Sequence, residues 1–158
     1  MAQMPDRNIW FDLHREGPGP IDVAIIGMPF DGSSSRHRGA GEAPDRLREI
    51  SRTADPINRR GVPIEAVRLR DFGDVESRDA AGKPVPQGDF LEAARKRIAG
   101  LPECRLWIGL GGDNSVSIPG IRAFAERHGA GTGVVWFDAH PDLFESYNGN
   151  PDSHACAL

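Results

Sequence analysis

Asp138, His140 and Asp142 lie within five positions of one another. Two carboxylates and an imidazole at that spacing are oxygen and nitrogen donors suited to a divalent metal. Without a cation, the carboxylates would repel one another or lose solvation on burial, so a bound metal accounts for the cluster economically. The plain alternative is an acidic turn capped by a histidine. A second polar group, Asp113 and Asn114, follows two glycines in Gly111-Gly112-Asp113-Asn114-Ser115.

The elements around these residues suggest how they are held. Residues 133–137 form a continuous apolar run that reads as a buried strand, and Pro141 removes a backbone donor and ends it. The acidic cluster then sits at a strand's carboxyl end, the edge where open α/β sheets bind ligands. Residues 21–27 and 105–110 read as two further buried strands, and the alternation in 67–72 suggests a strand nearer the sheet edge. Helices are expected from Pro44 through Leu47 and Ile50, which would share a buried face, and from Asp89 to Gly100 over Phe90, Leu91, Ala94 and Ile98. A third is expected from about Ser117 through Ile121, Phe124 and Ala125 to His128. Four strands alternating with helices imply parallel crossovers. If the strands before Asp113 and Asp138 are neighbours, their loops meet over one pocket.

The glycines at 109, 111 and 112 do not make a nucleotide site. A dinucleotide fingerprint needs a third glycine where Asn114 stands, and a phosphate loop needs a Gly-Lys-Ser/Thr that is absent. A tight turn remains, in which Gly111 and Gly112 permit unusual dihedrals and Asp113 or Ser115 caps the next helix.

Composition narrows the classes. The 158 residues suit one domain or part of a larger one, and 39% hydrophobic content suffices for a packed core. A net charge of −4, with basic residues dispersed among acidic ones, argues against nucleic-acid binding. Cys104 and Cys156 make neither a disulfide framework nor a cysteine-rich zinc site, which points to a reducing compartment. Asp6, Arg7, Asp12 and Arg15 interrupt any signal-peptide core, and no run reaches membrane-spanning length. The expectation is a cytoplasmic protein without a membrane partner.

Several separated motifs together resemble the ureohydrolases, the arginases, agmatinases and their relatives. They are Gly27-Met28-Pro29-Phe30-Asp31-Gly32 with Arg36 and Gly39-Ala40, then Pro44 and Arg48, then Asp71-Phe72-Gly73-Asp74. Gly111-Gly112-Asp113-Asn114-Ser115, Asp138-Ala139-His140-Pro141-Asp142 and Ser153-His154 follow in the family's order. The first loop is similar to the agmatinase branch. The resemblance implies a three-layer α/β/α sandwich with a mostly parallel sheet, and hydrolysis of a small guanidino compound to release urea. It implies two metals, usually Mn²⁺, with Asp138 bridging them, His140 on one and Asp142 on the other. A water bridging two cations is acidified enough to attack a guanidinium carbon. Ni²⁺, Zn²⁺, Co²⁺ and Fe²⁺ accept the same ligands. His154 matches the family histidine that shuttles a proton or holds substrate; a solvent-exposed histidine is its plain alternative. Asn148 and Asn150 lie in a loop too variable to assign.

Two departures bear on the activity. Asn114 stands where the family carries a metal-binding histidine, and an amide oxygen is the weaker ligand. Family members also continue with further strands and a later aspartate-rich segment, so 1–158 is expected to be the N-terminal half of one domain. The expectations that follow are a truncated or split hydrolase, a single-metal or non-catalytic relative, or a structural subunit. A homo-oligomer, or a partner chain supplying the C-terminal half, completes the list.

Overall fold

The computed structural model describes residues 9–64, 66–129 and 131–158. Asp6 and Arg7, which entered the reading of the N-terminus, lie outside the described residues. Among the described residues three strands and three α-helices alternate: β1 (Val23–Met28), α1 (Ala43–Ser51), β2 (Leu69–Asp74), α2 (Gln87–Ala99), β3 (Leu106–Gly111) and α3 (Ser117–His128). The strands are all parallel, in the order β2-β1-β3. β1 alone has a neighbour on each side, so its backbone groups are paired within the sheet and its Val-Ala-Ile-Ile-Gly-Met run can be buried. β2 lies at an edge as expected, but β3, expected to be buried, lies at the other edge among the described strands, with Leu106 and Ile108 53% and 37% exposed.

Alternation along β1 assigns the layers. Ile26 and Met28 pack with Phe90, Leu91, Ala94 and Ile98 of α2 and with Ile118 and Ala123 of α3. Ile25 faces the other way, onto Trp10, Leu13 and Leu69. Gly27 lies on that second face, where a Cβ would collide with Asp74 Oδ1 and stand 3.1 Å from Pro44 Cβ. The missing side chain is what lets α1 pack there. Helices therefore cover both faces, which gives the three-layer α/β/α arrangement.

α1 buries a different stripe from the one its apolar residues suggest. Leu47 and Ile50 are 43% and 61% exposed, and Pro44, Arg48 and Ser51 face inward instead. The cause is electrostatic. Arg48 grips Asp71 bidentately, with Nε 2.7 Å from Oδ2 and Nη2 3.0 Å from Oδ1, while its Nη1 reaches Asp74 Oδ1 at 2.7 Å. The Trp10 indole N–H donates to the same Asp71 oxygen at 2.6 Å. Burial pushes the Asp71 carboxyl up, but the Arg48 guanidinium, the Trp10 indole and the Gly73 amide outweigh it, so its pKa lies below the ordinary carboxylate range. In α3 likewise, Ile118, Pro119, Gly120 and Ala123 are buried while Phe124 is 41% exposed.

The fourth strand is a correction. Residues 132–137 join no sheet among the described residues, and Val135 and Phe137 are 80% and 95% exposed. An apolar run becomes a buried strand only when neighbours accept and donate its backbone bonds. Here it instead faces β3 and α3 across an open cavity of about 410 Å³ that Trp107, Phe124 and Trp136 help to line. The loops before Asp113 and Asp138 nevertheless approach each other, although the segments that carry them are not paired strands. No helix among the described residues is long and apolar enough to cross a membrane.

Replacing Arg48 by Met leaves the Asp71 carboxylate buried without its cation, and it is expected to cost about 3–5 kcal/mol in chemical denaturation. Because Asp71 has a lowered folded pKa, its contribution is complete above its unfolded value of about 3.9 and is lost as the pH falls through the folded value. Unchanged stability at neutral pH in Arg48→Met would show that the pair is immaterial to the fold.

Candidate metal centre and the cavity beside it

Close backbone approach builds the turn after β3. Gly111 and Gly112 do not adopt left-handed dihedrals, contrary to expectation. A Cβ on Gly112 would strike the Phe30 carbonyl oxygen, and one on Gly111 would strike Val116. The glycines let the β3 turn press against the loop after β1, and Asp113 N then donates to Phe30 O at 3.0 Å. Asp113 itself is buried and accepts on both carboxylate oxygens. Oδ2 takes the Ser33 amide at 2.9 Å, while Oδ1 takes the Ser115 amide at 3.0 Å and the Ser115 hydroxyl at 2.5 Å. This caps a short 3₁₀ turn at Asn114–Val116 that leads into α3, as expected of Asp113.

Asn114 projects from that turn onto the acidic cluster. Its Nδ2 donates to Asp138 Oδ2 at 2.7 Å and to Asp142 Oδ2 at 2.9 Å, so one amide bridges the two carboxylates. Asp142 is 5% exposed and has φ of 47°, a left-handed conformation that aspartate tolerates better than most residues. Its carbonyl oxygen accepts from Leu158 N at 3.3 Å, and Phe144 N reaches Ala155 O at 3.2 Å, which ties the cluster to the 153–158 segment. The Asp138 carboxyl is held below its ordinary range, first by the His140 amide and then by the Asn114 amide. The His140 amide donates to Asp138 Oδ1 at 2.9 Å, but its ring stands outside, 80% exposed, with Nδ1 3.7 Å from that oxygen.

Among the described residues, no three His, Cys, Asp or Glu side chains converge closely enough to hold a metal ion. The expected ligands Asp138, His140 and Asp142 therefore do not meet as a triad; Asn114 completes the inner group and His140 is peripheral. The donor set still fits one cation. Adjacent ligands around an octahedral divalent ion at about 2.1 Å lie ~3 Å apart. The Asn114 separations match that spacing, and a half-turn of the amide would place Oδ1 where Nδ2 stands. His140 would need only a rotation of an exposed side chain to join Asp138.

His154 lies on the other side of Asn114. Its amide donates to Ser33 Oγ at 3.2 Å, and its Nδ1 lies 3.2 Å from Ser153 Oγ, which leaves Nε2 unengaged by that contact. The half-buried ring shares a cavity of about 280 Å³ with Asn114 and with Ser34, Ser35, Arg36 and His37 of the β1 loop. Reading the loop as irregular did not reveal that Ser33 joins Asp113 to His154. The clue in the sequence was three consecutive serines, whose hydroxyls can brace a backbone. Asn150 is structural: its side chain bonds Gln87 Oε1 at 2.8 Å and the Asp152 amide at 3.0 Å. Asn148 has φ of 52° in the same turn.

Comparison with known proteins bears on this arrangement. The arginase family profile matches residues 21–158. Mitochondrial arginase of Medicago truncatula is 34% identical over 84% of this chain and 40% of that protein. Agmatinase of Bacillus anthracis is 33% identical over 87% of this chain and 46% of that protein. The solved structure of proclavaminate amidinohydrolase from Streptomyces clavuligerus superposes with a TM-score of 0.78 at 28% identity, covering 95% of this chain and 50% of that one. The chain thus spans about half the length, or less, of these relatives.

Asp113→Asn tests the knot that joins the loops. An amide group cannot accept on both sides, so one NH₂ would face a buried donor, at a cost of about 1–3 kcal/mol. Faster hydrogen exchange is expected at the Ser33 amide or the Ser115 amide; unchanged protection at both would show that the carboxylate does not hold them.

Proposed function

The chain belongs to the arginase family, and from that premise we propose that it forms the metal-holding part of a ureohydrolase that cleaves a guanidinium C–N bond and releases urea. The observation that carries this reading is the convergence of Asn114, Asp138 and Asp142 beside the cavity that holds His154. Asp138, Asp142, the Asn114 carbonyl oxygen and His140 would hold the cation. Mn²⁺ suits these hard donors, and Ni²⁺, Zn²⁺, Co²⁺ and Fe²⁺ are accommodated by the same set. When bound, the ion supplies Lewis acidity that lowers the pKa of water in the site. His154 exchanges a proton with the departing amine at Nε2, its Nδ1 being placed against Ser153 Oγ.

Hydrolysis is proposed for the protein together with the remaining half that its relatives carry, joined in one chain or brought by a partner or a second copy. The described residues alone leave a cation short of ligands. A cytoplasmic setting agrees with the free thiols of Cys104 and Cys156. A second reading, a single-metal or non-catalytic relative, is favoured by the Asn114 amide, which satisfies both carboxylates through N–H donation.

Metal content after dialysis tests the ligand set. His140→Ala is expected to weaken Mn²⁺ binding more than about tenfold, and Asn114→His to raise the metal bound per site by replacing an amide with imidazole. Equal content in all three proteins would refute the assignment of these ligands. Urea release from guanidino compounds with added Mn²⁺ or Ni²⁺ is expected to be negligible for residues 1–158 alone and to appear when the remaining half is supplied. Turnover by 1–158 as a purified monomer would show that the site needs nothing more.

A further inference from the structure

The outer edge of β2 is covered by the segment that precedes β1. His14 forms a parallel bridge with Leu69, and the Arg15 amide donates to Leu69 O at 2.9 Å. The next rung of a parallel ladder would take the Asp71 amide to the Arg15 carbonyl. That carbonyl instead accepts from Arg70 Nε at 3.4 Å, and the Asp71 amide donates to the ring nitrogen Nδ1 of His14 at 3.1 Å. A side chain thus stands where a backbone acceptor would be. An imidazole nitrogen accepts only while it carries no proton, so this contact sets the tautomer with the proton on Nε2, which lies 3.7 Å from Glu16 Oε1.

The same segment is conformationally strained. Trp10, Phe11 and Asp12 have φ of 57°, 60° and 63°, three consecutive left-handed residues none of which is glycine. Such a backbone persists only where its surroundings hold it. The holders are the Trp10 amide on Ser51 Oγ at 2.8 Å, the Phe11 amide on Ser51 O at 3.2 Å, the Trp10 indole on Asp71, and the packing of Trp10 and Leu13 on Ile25 and Leu69. We propose that residues 9–15 form a strap across β2 whose latch is the neutral His14 ring, and that protonation of this ring in mildly acid solution releases the strap while the sheet stays folded. Once protonated, Nδ1 is a donor facing the Asp71 N–H donor, and the bond is lost. The charged groups around the ring are Asp12, Arg15 and Glu16 on its own segment, Arg70 and Asp71 on β2, and Arg48 of α1 behind Asp71. Glu16 favours the protonated ring, and Arg15 and Arg70 oppose it. Asp71, paired with Arg48 and held below the ordinary carboxylate range, stays ionised where an imidazole titrates, so it is not the group that changes charge there. The latch is independent of the proposed hydrolysis.

Amide hydrogen exchange of the full chain, expressed as protection relative to the free-peptide rate at each pH, tests this. An ordinary imidazole goes from about one-tenth to about nine-tenths protonated between pH 7.5 and 5.5. Across that range the Asp71 and Arg15 amides are expected to lose about tenfold in protection, while the Ile25 and Ile26 amides of β1 keep theirs. His14→Gln replaces the ring by an amide that does not titrate and is expected to remove the pH dependence. His14→Leu has no acceptor, and at pH 7.5 it is expected to exchange at Asp71 as the wild type does at pH 5.5. Glu16→Gln is expected to leave the pH dependence in place. Equal Asp71 protection at the two pH values in the wild type overturns the latch, as does a pH dependence that survives in His14→Gln. Loss at Ile25 and Ile26 in step with Asp71 overturns it too, because acid would then be unfolding the sheet and not releasing the strap. The wild-type comparison decides the matter whether or not either His14 variant folds.

Discussion

The buried carboxylate of Asp113 is the point on which the candidate site depends. It holds the Ser33 loop on one oxygen and the Ser115 turn on the other, and Ser33 in turn accepts the His154 amide. Three segments that are distant in sequence are therefore registered against one another by one group. The arrangement needs Gly112, because only a residue without Cβ lets the backbone come close enough to Phe30 for the carboxylate to reach across. Hydrogen bonds to an ionised acceptor are stronger than neutral ones, so the group positions as well as links.

A contrast between two acidic clusters separates structure from function. Asp71 and Asp74 share Arg48, a permanent cation buried with them, and this pair staples α1 to the end of β2. Asp138 and Asp142 share only the neutral amide of Asn114, with His140 at the margin. An amide satisfies lone pairs and leaves the charge uncompensated. The first cluster is complete within the chain; the second retains the electrostatic demand that a divalent ion meets. Carboxylates that look alike in sequence thus differ in what they still require.

Much of this was readable from residue type. The buried run at β1, the strand at β3, the apolar face of α2 over Phe90, Leu91, Ala94 and Ile98, and the cap at Asp113 followed from periodicity and turn chemistry, whereas the burial expected of β3 did not, since it has a partner on one side only among the described residues. The inner stripe of α1 was not, because Arg48 outranks Leu47 and Ile50 only once Asp71 and Asp74 are known to face it. The roles of Gly111 and Gly112 were misread for a related reason: close approach and unusual dihedrals both call for glycine, and only the opposing backbone tells them apart. Asp138 and Asp142 lie together on the Asn114 amide, whereas the peripheral place of the His140 ring depends on a rotamer that spacing does not specify.

The segments at β1 and 133–137 show why apolar pattern and burial part company. Both are short runs of Val, Ile or aromatic residues, yet Ile26 is fully buried and Phe137 almost fully exposed. β1 has β2 and β3 to complete its backbone bonds, and helices on both sides to cover its side chains. The 133–137 run has neither among the described residues. Its function in the site does not wait on pairing, however, because the Asn114 bridge and the contacts of Asp142 and Phe144 with 155–158 already hold the acidic cluster beside the β3 turn. Strand formation and placement of the cluster are thus separate achievements. The second is secured above all by the amide of Asn114, which borders the acidic group on one side and the cavity of His154 on the other.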